Sequence, residues 1–272
     1  NPGKDKKKLQ HNHFYMIFTD QLNRPITLEK PPQRIISLVP SQTELLYTLG
    51  LNEEVVGITK FCVHPSTWFR EKTRVGGTKN IHRDRIDALR PDLIIANKEE
   101  NLESDVEPLM ADYPVWVSNI QTLEDAYNMI TGIGALTNRI AAATTLVTQI
   151  KAGFAALPIR TKPVPTAYFI WRDPWMVAGG DTFIHEMLSM CGLHNVFGEQ
   201  LRYPSITAKQ LAGSGCELVL LSSEPYPFRE KHIAELQAIV PRARIQLVDG
   251  EMFSWYGSRL LAAGAYFSTL TF

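Results

Sequence analysis

Between Arg34 and Val63 the apolar and polar positions fall into a repeating order. Ile35–Val39 is a short unbroken apolar run, the pattern of a strand buried on both faces. It breaks at Pro40, and a helix is predicted from Ser41 to Leu49, where Ser41 can cap and Glu44 stands three residues on, the spacing of a capping box. Gly50 stops that helix, and a second buried strand runs from Val55 to Thr59. The result is a βαβ unit. Its corner, Val39-Pro40-Ser41-Gln42, directs free backbone N–H groups outward from the carboxyl end of a strand, where ligands bind in open α/β sheets.

The same order continues on both sides. Residues 1 to 15 are polar and Lys-rich and read as an arm, and Met16 to Leu28 alternates around a turn at Asn23-Arg24-Pro25, as a hairpin does. Pro31-Pro32 forces an extended entry into the first core strand. Val75-Gly76-Gly77-Thr78 is a tight corner, followed by helix Asp84 to Leu89, strand Asp92 to Ala96, helix Leu102 to Ala111 and strand Val115 to Ser118. From Thr122 to Leu157 no strand is expected. One helix starts at Thr122, is weakened or interrupted at Gly132 and Gly134, and gives way near Asn138 to a second of about twenty residues, roughly 30 Å long. Beyond it come strand Ala167 to Trp171, helix Thr182 to Met190, strand Leu218 to Leu221, helix Lys231 to Ile239, strand Ile245 to Val248 and a last helix near Ser258.

Each half carries a strand, a loop and a helix ending at Gly, then a helix, a turn and a buried strand, then one more short strand. The fold class expected is therefore α/β: two similar lobes with mainly parallel central sheets, bridged by one long α-helix, with a ligand cleft between them. The boundaries are an arm over 1–15, an N-terminal lobe over 16–121, a helical linker over 122–158 and a C-terminal lobe over 159–272.

The totals narrow the chemistry. Twenty-eight basic and 28 acidic side chains cancel, which argues against a nucleic-acid or anionic-membrane partner. Cys62, Cys191 and Cys216 form no CxxC pair and read as buried thiols, and Cys62-Val-His64 is a fragment of a metal site without further ligands at closed spacing. No apolar run reaches the length of a membrane span, and the start lacks the apolar core of a signal peptide. Glu99-Glu100 could be a paired-carboxylate site, though a solvated loop is the plainer reading. There is no GxSxG elbow, no dinucleotide fingerprint and no nucleophile-base pair, so a binding protein is favoured over an enzyme.

The loops that follow the strands are rich in aromatics. Two of them pair aromatics with arginine: Trp171, Arg172 and Trp175 in one, Trp255, Tyr256 and Arg259 in the other. Aromatic faces with one or two guanidiniums suit a large, flat or partly anionic small molecule.

Four stretches, PPQRIISLVPSQTELLYTLG, VVGIT, IDALRPDLIIA and AGGDTFIHEMLSMCGLHNVF, stand in an order that resembles the solute-binding proteins of ABC importers for metal chelates. Their ligands are cobalamin, haem and ferric siderophores. The resemblance covers about residues 16 to 270 and implies two α/β lobes joined by a stiff helix, with limited hinge closure. Cobalamin binders are the nearest likeness: their stacking aromatics correspond to Phe61 and Tyr203, and two further aromatic positions are Thr78 and Asn97 here. The family docks to its permease through an acidic residue on each lobe; the first position is Asp84, the second Lys209. The implied ligand-binding set is Phe61, Asn97, Trp171, Arg172, Trp175, Tyr203, Trp255, Tyr256 and Arg259, with no catalytic residue, no resident metal and no cofactor beyond the chelate itself. The implied partners are an ABC permease dimer and its ATPase, the implied place is the periplasm or another extracytoplasmic space, and nothing demands more than a monomer. The alternatives are a cytoplasmic tetrapyrrole- or corrinoid-handling protein on the same fold, and a lobe pair that serves only as an interaction module.

Overall fold

The computed structural model describes residues 15–159 and 161–271. The arm expected over 1–15 lies outside them except for Tyr15. Two five-stranded sheets organise the chain. In the first the order is Thr73–Arg74, Val55–Ile58, Ile35–Ser37, Leu93–Asn97 and Val115–Ser118, with every pairing parallel. In the second, Val164–Trp171 pairs in parallel with Leu218–Ser222, which pairs in parallel with Arg244–Val248. The other edge of Val164–Trp171 is shared between parallel Leu193–Asn195 and antiparallel Met176–Val177. The sequence-predicted hairpin is present as Met16–Thr19 against Pro25–Leu28.

Both sheets bury both faces, so their strands read as continuous apolar runs and the period of two appears only in which core each residue enters. Ile35, Leu93 and Ile95 enter one cluster, while their neighbours Ile36, Ile94 and Ala96 enter another on the far side of the first sheet. Tyr168, Leu218 and Leu220 likewise face the first cluster, and Phe169, Val219 and Leu221 face a third on the far side of the second sheet. The inner faces of the two lobes thus share one apolar core.

The segment without strands supplies the middle of that core. It holds two helices, Leu123–Leu136 and Ile140–Ala155, of 14 and 16 residues, packed on each other. The second is shorter than the twenty residues expected. The first starts on a true capping box, Thr122 with Asp125. Gly132 and Gly134 do not interrupt it. They are sites of close approach: a Cβ on Gly132 would stand 2.8 Å from the Trp116 ring, and one on Gly134 would overlap the Ala143 side chain. The turn between the helices is made by Asn138 with φ 57°.

The capping box expected at Ser41 and Glu44 is not formed. The helix is Pro40–Thr48, with Val39 at the cap position, Pro40 opening the first turn and no side-chain cap. Proline fixes the entry in place of a capping hydroxyl, and this leaves Glu44 free to reach across the seam between the lobes. The helix expected over Leu102 to Ala111 is a short α-turn, Glu103–Val106, running into a 3-10 turn, Glu107–Ala111.

Candidate functional site between the lobes

The N-terminal wall is built on the carboxyl ends of three parallel strands. Gln42, fully buried in the first turn of Pro40–Thr48, donates through Nε2 to Ser118 Oγ, which also receives Asn97 Nδ2 at 2.9 Å. Asn97 Oδ1 in turn accepts from the backbone N–H groups of Glu99 and Glu100 at 2.8 and 2.9 Å. Asn97 is therefore buried and organises the loop from inside, rather than offering a free side chain to a ligand. The loop it folds presents Glu99 and Glu100 toward the other lobe. Phe61, after strand Val55–Ile58, is 50% exposed, with the Lys60 ammonium 5.1 Å from its ring centre. Cys62 is fully buried between the Thr43 and Thr59 hydroxyls, and burial pushes its thiol pKa up. His64 turns away from it toward Glu251, so the Cys62 and His64 side chains do not share a site. Among the described residues there is no group of three or more His, Cys, Asp or Glu side chains arranged to hold a metal ion.

The C-terminal wall answers with residues that follow Leu218–Ser222 and Arg244–Val248. Glu224 accepts from Ser254 Oγ at 2.7 Å and from Trp255 Nε1 at 2.9 Å. Trp255 is buried, edge-on to His64 of the other lobe, with the Arg259 guanidinium 5.1 Å from its ring centre. Tyr256 is buried beside it, edge-on to Phe183. Gly257 has φ 116°, and a Cβ there would stand 3.2 Å from the Ser41 carbonyl, so the loop is pressed on the first turn of Pro40–Thr48. Tyr203 sits with its hydroxyl beside Glu99.

Charge joins the walls. Arg259 makes a two-point contact with Glu44 across the seam, Nε–Oε2 3.0 Å and Nη2–Oε1 2.7 Å, and holds Glu251 of its own lobe at 3.2 Å. Arg202 reaches Glu99 at 3.2 Å and Asp181 at 3.9 Å. Acidic groups outnumber these arginines. Burial, then the neighbouring Glu99 and Glu224 charges, push the Glu100 carboxyl up to about 7, with Lys79 acting in the opposite sense. Glu224 and Glu44 are also raised, chiefly by burial, and burial raises the phenols of Tyr203 and Tyr256 well above their ordinary range. The solvated loop expected for Glu99-Glu100 is thus corrected: the pair lies in the seam, because Asn97 folds the loop inward.

The other Trp/Arg corner goes elsewhere. Arg172 makes a two-point contact with Glu235 of helix Glu230–Gln237, at 2.9 and 3.0 Å, and lies over Trp175. Trp175 stacks on Phe228 and packs with the far-side core of the second sheet, so neither it nor Arg172 joins the seam cluster. These two bound a shallow pocket of about 190 Å³ with Asp173, Pro174 and Glu235. Trp171 is 40% exposed and edge-on to Tyr226. Asp84 is exposed in the first turn of helix Arg83–Leu89, and Lys209 is exposed on the other lobe. Of the expected set, then, the structure brings Tyr203, Trp255, Tyr256 and Arg259 to the seam, with Phe61 exposed on the facing N-terminal wall and Asn97 buried beneath it. The sequence reading missed Glu44, Glu224 and Glu251 as members, and only their places after strands and in a first helical turn hinted at it.

Known proteins share this architecture. The chain is 27% identical over 216 residues to the ABC transporter substrate-binding lipoprotein YvrC of Bacillus subtilis strain 168, covering 75% of this chain and 68% of that one. It is 27% identical over 198 residues to the vitamin B12-binding protein of Vibrio parahaemolyticus, covering 71% and 72%. The solved structure of a possible iron-binding periplasmic solute-binding protein from Staphylococcus epidermidis superposes with a TM-score of 0.75 at 24% identity, over 88% of this chain and 98% of that one. Residues 35–225, more than half of the chain, match the family model described as periplasmic binding protein, and the chain belongs to that family.

Proposed function

We propose that the protein is the solute-binding component of an ABC importer, capturing a metal chelate between its lobes and presenting it to a permease dimer driven by an ATPase. The observation that carries this reading is the meeting of the carboxyl ends of the parallel strands of two sheets across one seam, with Tyr203, Trp255 and Tyr256 on one side and the Phe61 loop on the other. Such a crevice is where open α/β sheets take ligands, and aromatic walls supply area for a flat chelate at low entropic cost. The relatives named for ABC transport and vitamin B12 binding support the same reading and favour a receptor over an enzyme. The lobes that hold the ligand are residues 16–121 and 159–272, joined through 122–158. Asp84 is the docking residue on the first lobe, and the working compartment is extracytoplasmic.

In this reading Arg259 is a strut and not the ligand's anion partner, since two carboxylates already occupy its guanidinium. Opening the seam separates Glu44 from Arg259 and Glu99 from Arg202, and a ligand must replace those contacts to hold the lobes together. The test is a tryptophan-fluorescence titration with cobalamin, haem and ferric hydroxamates, repeated by calorimetry because these ligands absorb light. Saturable one-to-one binding of any of them supports the reading. Absence of saturation across the set overturns it.

A further inference from the structure

The N-terminal wall of the cleft is made where several turns of backbone meet, and one buried amide sits at their junction. Asn101 is only 5% exposed. Its Nδ2 donates to the Leu38 carbonyl at 3.2 Å and to the Thr78 carbonyl at 3.0 Å, and its Oδ1 accepts from the Asn97 N–H at 2.9 Å. Both donors and the acceptor of one planar group thus go to three separate stretches of chain. Leu38 follows strand Ile35–Ser37 and leads into the corner at Pro40. Thr78 turns the hairpin of Gly76–Gly77 with Asn80–Ile81, and Asn97 ends strand Leu93–Asn97.

Each stretch carries a piece of the wall. The corner at Pro40 brings Ser41 against Gly257 of the other lobe. The hairpin backs the Phe61 loop: the Lys60 N–H donates to the Gly76 carbonyl at 2.8 Å, and a Cβ on Gly77 would stand 3.2 Å from the Phe61 ring. The turn after Asn97 carries Glu99 and Glu100. Asn97 folds that one turn from inside, through its bonds to the Glu99 and Glu100 N–H groups, whereas Asn101 joins it to the other two. Lys79 Nζ also bridges from the hairpin to the Glu99 carbonyl, at 2.6 Å, but at the exposed rim, where ordering a long flexible side chain offsets much of the gain. Asn101 is the buried tie.

We propose that Asn101 is the positioning residue of the N-terminal wall, fastening the Leu38, Thr78 and Glu99-Glu100 loops to one another so that the wall is assembled before a ligand arrives. The proposal rests on the reading of the seam as the ligand site. Asn101 lies behind the wall and acts through Phe61, Glu99 and Glu100. A wall already in order spares binding the entropy of ordering three loops. Apparent affinity scales with the fraction of time the competent wall is present, so a wall assembled about one-tenth of the time binds about tenfold more weakly. Asparagine fits by the number and direction of its groups. An aspartate would offer no donor to the two carbonyls, and an alanine would leave both of them and the Asn97 N–H without this partner.

The test is hydrogen exchange read by mass spectrometry, then calorimetric and stopped-flow titration, all on the full chain. In the ligand-free parent the amides of residues 97–101 are expected to exchange about 100-fold more slowly than in an unstructured chain, and exchange at the unstructured rate overturns the proposal. In Asn101→Ala, peptides spanning 76–81 and 97–101 are expected to exchange about tenfold faster together, while strand peptides 93–96 and 115–118 keep the parent's rate. A rise confined to 97–101, or spread evenly over the chain, overturns it. Asn101→Ser, which keeps one hydrogen-bonding group, is expected to fall between the two. For binding, the probes are cyanocobalamin, haem and ferrioxamine B. With whichever saturates the parent, Asn101→Ala is expected to bind about tenfold more weakly, through slower association, and Thr137→Val no more than about twofold more weakly. Thr137 is also buried, but it lies beside Arg139, whose partner Glu54 stands at the amino end of Val55–Ile58, away from the seam. Parent affinity retained in Asn101→Ala overturns the proposal and leaves the receptor reading standing. If no probe saturates the parent, the receptor reading falls, and the exchange pattern alone decides whether Asn101 couples the loops.

Discussion

Two corners of the C-terminal lobe carry the same chemistry in one dimension and opposite chemistry in three. Trp171, Arg172 and Trp175 follow one strand; Trp255, Tyr256 and Arg259 follow another, and each arginine lies over a tryptophan and grips one glutamate at two points. The partner decides the difference. Arg172 holds Glu235, on a helix that covers the far face of its own sheet, and both side chains are 37% exposed. Arg259 holds Glu44 of the other lobe, at 15% and 20% exposure, with Glu251 behind it. A tryptophan beside an arginine thus says that a guanidinium will be stacked. Whether that guanidinium braces an outer face or closes a cleft depends on the topology that delivers the carboxylate.

The contrast is broken most directly by removing each arginine. Arg259→Ala strands two partly buried carboxylates, Glu44 and Glu251, beside each other, with Glu224 next to Glu251, and is expected to cost about 3 kcal/mol. For a chain of this size that lowers the thermal midpoint by several degrees, measured by circular dichroism. Arg172→Ala removes an exposed pair and is expected to cost less than about 1 kcal/mol. Equal losses in the two variants would mean that the Arg259 strut is no more buried in solution than the surface pair.

Glu100 sharpens the same point through pH. Its carboxyl titrates at about 7 in the folded chain against an ordinary 4.5. Between those values the folded chain keeps a proton that the unfolded chain has lost. The stability this proton contributes is complete below pH 4.5 and is lost as pH rises through 7. The loss amounts to at most about 3 kcal/mol, and Glu44 and Glu224, also raised, act in the same direction. Glu100→Gln is therefore expected to match the parent at pH 4.5 and to unfold at a higher temperature than the parent at pH 8. A variant less stable than the parent at pH 8 would show that the Glu100 carboxylate is well solvated or paired.

The strand-helix alternation was legible because it is local: Ile35, Val55, Leu93 and Val115 each head a short apolar run, and Gly50 marks a helix end that the backbone confirms with φ 77°. Thr73–Arg74, Met176–Val177 and Leu193–Asn195 were not legible, since strands of two or three residues carry no period to read. The aromatics at the seam were found because they cluster after strands. Their charged neighbours were not, and sequence separation explains it: Glu44 and Arg259 stand 215 residues apart, and Glu235 and Arg172 stand 63 apart. Glu99-Glu100 was misread for the same reason, because Tyr203 and Glu224, which surround it, come more than a hundred residues later.

The smallest expected effect on stability belongs to Phe61, and it separates binding from folding. Its ring is half exposed and touched by Lys60, whose contact at such a site contributes about 0.5–1 kcal/mol. Phe61→Ala is therefore expected to shift the thermal midpoint by only a degree or two, well below the shift of Arg259→Ala. If Phe61 stacks on the chelate, the same change removes aromatic area that is buried only in the complex, and affinity falls by about tenfold in a calorimetric titration. Trp171→Ala, at 40% exposure but on the corner that turns outward, is the control. A tenfold loss for Phe61 with none for Trp171 keeps the two corners distinct, and equal losses would bring the Trp171 corner to the edge of the ligand, with the pocket of Arg172 and Trp175 as an extension of the cleft.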